Sequence, residues 1–348
     1  MQDDDIKAAA AAGIITETQA ANLTTLVHER AGRIAQKRPD DEPFELFSGF
    51  SEIFISIGLI ILLTGAGAFS AVAGGAILFA IALIALCWWA ATYFTLKRRM
   101  TLPSIVLVCG FAQGISLLLL IVLGDGMGVV SQIIFGLLGI MAMLAHFKFF
   151  RVPFSMFVAG GFGFVLTLAI FGAGLPDVYS LREGSTDTFI AGGAFGFATL
   201  VFGLLALVAA LWFDLRDPHR IGRLARSAFW LHLLAAPALV NTIMLTFYRL
   251  DGFTGTLLTL LCFAVIACFA IVIDRRSFLT SALGYVAAIL FVALRGDEWG
   301  LGIPTFMLII GVFMTSVGTF WTNLRVLIMN ALPEFPGKDR LPPYQETT

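Results

Sequence analysis

The chain has 348 residues, of which 59% are hydrophobic and only 13% are charged, with a formal net charge of −1. Soluble domains carry roughly 25% charged residues, so this composition excludes a soluble globular protein and indicates a polytopic membrane protein. Without an excess of Lys and Arg the chain cannot neutralise a phosphate backbone, so we expect no nucleic-acid partner. The first forty residues hold no apolar stretch followed by a small-residue cleavage site, so no cleaved signal peptide is predicted.

Residues 1–45 predict a cytoplasmic helical hairpin followed by an interfacial lead-in. Gly13 follows an Ala-rich helix and is expected to provide its left-handed C-terminal cap. Thr16 and Gln19 have the spacing of a capping box, which starts a second helix. The narrow apolar stripe of that helix, within residues 14–36, packs inside the hairpin, or it docks on the membrane domain, a second copy or a protein partner.

The opening segment Gly13-Ile-Ile-Thr-Glu-Thr-Gln19 precedes a helix and a multi-span region. In this motif and in its overall layout the chain resembles bacterial membrane proteins grouped as domain of unknown function 2157. The resemblance implies a bacterial inner-membrane protein. It brings no activity, cofactor or catalytic residue with it.

Residues 46–323 form the predicted transmembrane domain, which contains ten apolar runs. A helix of about 20 mostly apolar residues crosses a hydrocarbon core of about 30 Å, so we predict an all-α domain of about ten transmembrane helices. The first two runs are separated only by a Gly/Ala/Ser turn, which predicts a tight hairpin. The runs are Ile53–Phe69, Val72–Phe94, Leu102–Leu123, Val129–His146, Pro153–Gly174, Phe189–Phe213, Ala228–Tyr248, Phe253–Ile273, Phe278–Leu294 and Leu301–Trp321.

Positive charges occupy alternate gaps between these runs, and cytoplasmic loops carry the Lys/Arg excess. Placing both termini in the cytoplasm leaves only Arg182, Arg249 and Arg295 outside, so 19 of the 22 Lys and Arg lie inside. Most tryptophans also lie toward the predicted cytoplasmic ends, as expected for rings that favour the membrane interface. The predicted location is therefore the inner membrane, with multiple spans and both termini cytoplasmic.

The C-terminal residues 324–348 predict a disordered cytoplasmic tail, since four of the twelve prolines lie within it. The four cysteines fall inside apolar runs without metal-type spacing. We therefore predict no metal site, no cofactor and no disulfide.

The seventh run carries the most unusual polar residues: His232, Pro237 and Asn241. Pro237 lacks an N–H, so a kink with a freed carbonyl acceptor is expected in mid-helix. His232 and Asn241 are nine residues apart, which places them on opposite faces of one helix. The run predicts a kinked, substrate-lining helix, or alternatively interhelical hydrogen bonds and a packing kink.

Four polar residues in or beside other runs complete the candidate set. Gln113, Gln132 and Tyr285 are neutral and are candidates to line a substrate cavity with the seventh helix. Glu52 is the only carboxylate tucked against the start of a membrane helix, at the interface, where it stabilises the positive N-terminal end of the first helix or serves as an ion-linked carboxylate. The other acids lie in loops or at run edges, which disfavours a relay of buried carboxylates.

Two functions fit this pattern. The first is a permease that binds or moves a small neutral or amphipathic molecule without a buried-carboxylate proton relay. The second is a non-catalytic scaffold or accessory subunit that recruits a partner through its N-terminal helices. No metalloprotease motif or phosphate-binding loop is found in the sequence, so an enzyme is not predicted.

Overall fold

The computed structural model describes residues 9, 12–15, 19, 23, 49–124, 128–172, 193–216, 223–248, 253–276, 278–279, 302–338 and 341. All regular structure within these ranges is helical, which confirms the all-α class for this part of the chain. The chain divides into two compact units, Met1–Glu42 and Pro43–Thr348, close to the predicted boundary after residue 45.

In the first unit the structure describes the turn at Gly13. Gly13 has φ +70°, and the N–H of Ile14 donates to the carbonyl oxygen of Ala9 at 3.0 Å. A hydrogen bond from an N–H to the carbonyl five residues earlier, across a left-handed glycine, is a common C-terminal cap of a helix, so the predicted cap is confirmed. Thr16 and most of the stripe at 14–36 lie outside the described residues.

The helices of the second unit follow the predicted apolar runs closely. The ninth run, 278–294, falls almost entirely outside the described residues. In chain order the helices are α1 (Phe50–Ala91, continued by a π-helix at Thr92–Lys97), α2 (Thr101–Leu123), α3 (Val129–Phe150), α4 (Phe154–Ile170), α5 (Gly193–Asp214), α6 (Arg223–Tyr248), α7 (Phe253–Val272), α8 (Gly302–Thr319) and α9 (Trp321–Ala331).

Four of the described helices are long and apolar enough to cross a membrane: α1 with its π-helical extension, α2, α3 and α5. A fifth span results if α8 and α9, which are bent by 77°, are counted together. Large apolar side chains such as Ile61, Leu205 and Val265 are exposed on the outer surface, as lipid-facing residues are. The structure therefore supports a helical membrane protein, and the total of ten spans stays a prediction.

Helix α1 is a hairpin rather than one continuous rod. Gly75 has φ +77° and ψ −176°, which interrupts the helix. A Cβ on Gly67 would lie 2.3 Å from the ring of Phe79, although residues twelve apart on a straight helix are about 18 Å apart. The chain therefore folds back at Gly75. This confirms the predicted hairpin but places its turn inside the second predicted run instead of between Phe69 and Val72, and each arm is about 35 Å long.

The helix ends beside the Lys/Arg-rich gaps lie together. Trp88, near the end of α1, packs edge-on against Phe150 at the end of α3, with ring centroids 4.8 Å apart. Phe154, at the start of α4, packs on Trp230 near the start of α6 at 4.7 Å. We call this side, formed by the helix ends next to residues 97–99, 148–151, 214–226 and 274–276, the basic end of the bundle.

Small residues set the closest helix contacts. A Cβ on Gly114 of α2 would lie 3.2 Å from the carbonyl oxygen of Ala80 in α1, and one on Gly110 would lie 2.6 Å from Cys87 Sγ. The Gly110-x-x-x-Gly114 pattern therefore serves packing inside the chain. In the similar pattern of α5, Gly196 is buried and Gly192 lies outside the described residues.

The C-terminal region differs from its prediction. A disordered tail was expected from residue 324, but α9 continues to Ala331 and buries Trp321, Arg325 and Met329. These residues are four apart and form one stripe, which allows the helix to dock before the first proline of the tail at Pro333. Beyond the helix, Lys338 Nζ donates to the carbonyl oxygen of Leu332 at 3.0 Å.

Candidate functional site: a buried charge cluster

Six polar side chains are buried together at the basic end, although five of them carry or can carry full charges. They come from α5, α6, the turn that follows α7, and α9. We call them the charge cluster: Asp214, His232, Asp274, Arg275, Trp321 and Arg325.

The first half of the cluster is centred on Asp214, the last residue of α5. Its Oδ2 accepts hydrogen bonds from His232 Nε2 at 2.7 Å and from Arg275 Nε at 3.0 Å. Its Oδ1 accepts a further bond from Arg275 Nη2. A carboxylate at a helix C-terminus is opposed by the helix dipole, so the two-pronged guanidinium supplies the compensating positive charge.

Arg275 is fully buried, with 0% of its surface exposed. Its Nη2 also donates to the carbonyl oxygen of Ala225, near the start of α6, at 3.1 Å. The backbone N–H of Arg275 donates to the carbonyl oxygen of Ala270 at 2.9 Å, across Asp274 with φ +54°. This turn ends α7 as a C-terminal glycine cap would, and aspartate is among the few residues other than glycine that adopt the left-handed conformation.

The second half of the cluster is centred on Asp274, the neighbour of Arg275. Asp274 Oδ1 accepts a hydrogen bond from Trp321 Nε1 at 2.7 Å, and its Oδ2 lies 3.5 Å from Arg325 Nη1. The guanidinium of Arg276 lies 5.5 Å from the centroid of the Trp321 ring. The turn after α7 thus makes two sets of contacts. Arg275 binds α5 and α6, and Asp274 binds α9.

The cluster pairs two carboxylates with two guanidinium groups, which gives a balanced set of charges. Buried pairs of this kind add little net stability compared with apolar residues, but breaking one leaves an uncompensated charge and is costly. Among the residues that the structure describes, no group of three His, Cys, Asp or Glu could hold a metal ion. The hydrogen bonds of the cluster hold the ends of α5, α6, α7 and α9 together.

Helix α6 connects the cluster to the middle of the bundle. Pro237 lies inside α6, five residues after His232 and five before Thr242. The Thr242 hydroxyl pairs with the Thr199 hydroxyl of α5 at 2.8 Å, and both threonines are buried. Pro237 is thus flanked on both sides by buried polar contacts to α5. Helix α6 continues through Pro237, so the predicted kink stays a prediction, and the side chain of Asn241 lies outside the described residues.

The other predicted lining residues do not join this site. Gln113 is exposed on α2, and Gln132 is half-buried near the start of α3. Tyr285 lies outside the described residues. Of the predicted set with described side chains, the structure brings His232 and Pro237 to one helix and leaves the two glutamines on other helices.

Glu52 is buried, with 5% of its surface exposed, in the first turn of α1. Its Oε2 accepts hydrogen bonds from the backbone N–H groups of Thr101 and Leu102, both at 3.1 Å. Those groups begin α2, so Glu52 caps a second helix in addition to lying at the positive end of its own.

Replacing Glu52 by glutamine keeps the shape of the cap but removes its charge. We expect the free energy of unfolding to fall by about 1 kcal/mol, because a carboxylate at a helix N-terminus is stabilised by the dipole. The measurement is the thermal midpoint of the detergent-solubilised protein. Glu334→Gln, at an exposed carboxylate, is the control, and equal midpoints for the two variants would contradict the cap.

The sequence interpretation placed Asp214, Asp274, Arg275 and Arg325 in solvated loops or in the tail. One signal was available: Asp274-Arg275-Arg276 follows an apolar run directly, and Asp214 ends another run. An acidic residue within one helical turn of a span end, with Lys or Arg nearby, can form an ion pair. Which base it pairs with depends on the tertiary fold.

Comparison of the chain with protein families, with curated proteins and with solved structures finds no match.

Proposed function

We propose that the chain is a membrane permease that binds or moves a small neutral or amphipathic molecule, with α6 as its moving helix. The observation that carries the proposal is the position of Pro237 in α6, between two buried polar contacts to α5. Pro237 removes one backbone hydrogen bond and weakens the helix at that point. A helix held on both sides of a weak point can bend there while its ends stay attached.

The chemistry of the described interior favours a neutral ligand. The buried polar groups that the structure describes near Pro237 include the paired hydroxyls of Thr199 and Thr242. The buried carboxylates of the charge cluster are paired with arginines at the basic end. Hydroxyl groups bind neutral polar molecules by hydrogen bonds, without the charge exchange that a proton-coupled carrier needs.

We propose further that the chain has ten spans in the inner membrane, with the basic end and both termini cytoplasmic. The guanidinium of Arg276 lies beside the ring of Trp321 at the basic end. Helix α8 ends next to Trp321, and its first residue is about 27 Å away. The chain between Arg276 and the start of α8 therefore has to cover that distance. The predicted ninth span, 278–294, is the segment that would make the return crossing. The resemblance to domain of unknown function 2157 agrees with this layout.

To test the permease, the purified protein in nanodiscs is screened by thermal shift against neutral and amphipathic small molecules. The unaltered protein is then compared with Pro237→Ala. Hits are followed as uptake into reconstituted vesicles. We expect Pro237→Ala to raise the thermal midpoint and to slow uptake by about tenfold or more, because a continuous α6 bends less readily. Pro153→Ala, at the residue before α4, is the matched control and should leave uptake unchanged.

Uptake that is the same in both proline variants, or no ligand anywhere in the panel, would contradict the permease. The scaffold alternative is favoured by the separate compact unit Met1–Glu42. It predicts that deletion of residues 1–42 removes specific proteins from a crosslinked pull-down. An unchanged partner set would argue against that alternative.

A further inference from the structure

We propose that two copies of the chain pair in the membrane along α2, with the amide of Gln113 in one copy hydrogen-bonded to the amide of Gln113 in the other. The pairing surface, which we call the Gln113 face, consists of the exposed Cys109 and Gln113 and the half-buried Ser116. The pairing does not depend on transport, so it can be tested separately from the proposed function.

Gln113 lies near the middle of a membrane span. At 1.5 Å per residue it is about 18 Å from the start of α2 at Thr101 and about 15 Å from its end at Leu123. Helix α2 is one of the four described helices that are long and apolar enough to cross a membrane. The amide is therefore at the depth of the hydrocarbon core, where lipid offers no hydrogen bond.

The Gln113 side chain is exposed, and within the described part of the chain no hydrogen bond reaches its amide. Threonines in the described spans are satisfied inside the chain. The hydroxyls of Thr64 and Thr167 donate to carbonyl oxygens of their own helices at 2.8 Å, and Thr199 pairs with Thr242. Because an amide without a hydrogen bond is costly in hydrocarbon, Gln113 requires a partner from outside the chain.

The exposed surface around Gln113 differs from a lipid-facing surface. Helix α3 exposes large apolar side chains, such as Ile134 and Met141, as a helix in contact with lipid does. Over residues 101–119 of α2, the exposed residues are Cys109 and Gln113 alone. Small and polar side chains are enriched where membrane helices pack on one another. The middle of α2 is therefore suited to contact with a further helix.

A second copy of the chain is the partner whose chemistry matches this face. A glutamine amide both donates and accepts, so two Gln113 side chains related by a two-fold axis can exchange N–H···O bonds. Copies that insert with the same orientation present α2 in parallel and at the same depth. Cys109 and Ser116, about one turn to either side, are small and allow the two helices to approach closely.

Cys109 reports the pairing directly, because it lies one helical turn from Gln113 and would face Cys109 of the other copy. The full-length protein is reconstituted into liposomes over a series of protein-to-lipid ratios and oxidised with copper phenanthroline. We expect a disulfide-linked dimer on a non-reducing gel, and we expect Cys109→Ser to abolish it. Cys268 on α7 is also exposed, remains in that variant and should give no dimer.

Gln113→Leu removes the amide and keeps a side chain of similar size, so the pair loses its hydrogen bonds. We expect this variant to need about tenfold more protein per lipid for the same crosslinked fraction. Gln113→Asn keeps an amide and should lose less. Thr64→Val is the matched control, because it also removes an exposed polar group from a span, but one that already bonds to the carbonyl oxygen of Ile60. It should leave the crosslinked fraction unchanged.

The absence of a Cys109 crosslink at every ratio would overturn the pairing, and so would equal crosslinking in Gln113→Leu and in the unaltered protein. Rapid labelling of Cys109 by a charged, membrane-impermeant thiol reagent would also overturn it, because the Gln113 face would then line a water-filled path. The thermal midpoint of each variant shows that it is folded. A failed uptake assay with Pro237→Ala leaves the crosslinking result untouched, so the two proposals fail separately.

Discussion

Replacing Arg275 by alanine is expected to lower the free energy of unfolding by about 3–5 kcal/mol, because the change leaves the Asp214 carboxylate buried without its cation. Arg275 is fully buried and supplies two hydrogen bonds to that carboxylate. Among the described residues, His232 Nε2 then remains to stabilise it, at 2.7 Å. The measurement is the thermal midpoint of the detergent-solubilised protein, followed by loss of the monodisperse peak on size exclusion.

The control is Arg216→Ala. Arg216 is exposed and lies over the exposed ring of Trp212, with its guanidinium carbon 3.7 Å from the ring centroid. An exposed cation–π contact contributes about 0.5–1 kcal/mol, so this variant should change the midpoint only slightly. The two variants remove the same side chain from the same end of the bundle, and they differ in burial and in partner.

A double variant separates charge from packing. Asp214→Asn with Arg275→Met removes both charges, keeps an acceptor for His232 and keeps an unbranched side chain at 275. If the uncompensated charge causes the loss, the double variant should recover most of the stability that Arg275→Ala loses. A double variant as unstable as the single one would show that the shape of the arginine side chain matters more than its charge.

The sequence was sufficient to place the helices because apolar runs and their breaks are local features. The Gly/Ala/Ser residues between the first two apolar runs predicted a hairpin, and the fold of α1 confirms it, with the turn a few residues later at Gly75. The gaps rich in Lys and Arg predicted which helix ends share a side, and the contact of Phe154 with Trp230 is one of those that bring them together. Such features depend on neighbouring residues only.

The charge cluster could not be predicted in the same way. Asp214 and Arg275 are 61 residues apart, and Asp274 and Trp321 are 47 apart, so their pairing exists only in the folded bundle. The basic gaps contain several other arginines that would serve equally well by sequence. The helical stripe of α9 was readable from its four-residue spacing, but the prolines after it favoured a disordered tail.

The second large effect is expected at a helix crossing without charges at the point of contact. Gly136 of α3 faces the backbone of α4, and a Cβ at this position would lie 3.0 Å from Leu166 Cα and 3.1 Å from its backbone nitrogen. A flexible side chain could move away, but a helix backbone cannot move without shifting the whole of α4. We therefore expect Gly136→Ala to lower the free energy of unfolding by about 1–3 kcal/mol.

Gly161 of α4 provides the matched control, because it is exposed and a Cβ there would meet nothing within 4 Å. Alanine favours a helix over glycine by about 0.5–1 kcal/mol, so Gly161→Ala should leave the thermal midpoint unchanged or raise it slightly. The gain in helix propensity is the same for Gly136→Ala. The difference between the two thermal midpoints therefore measures only the effect of the close contact between α3 and α4. Equal midpoints would mean that α3 and α4 can separate by a fraction of an ångström without loss, and that close backbone contact does not fix this pair.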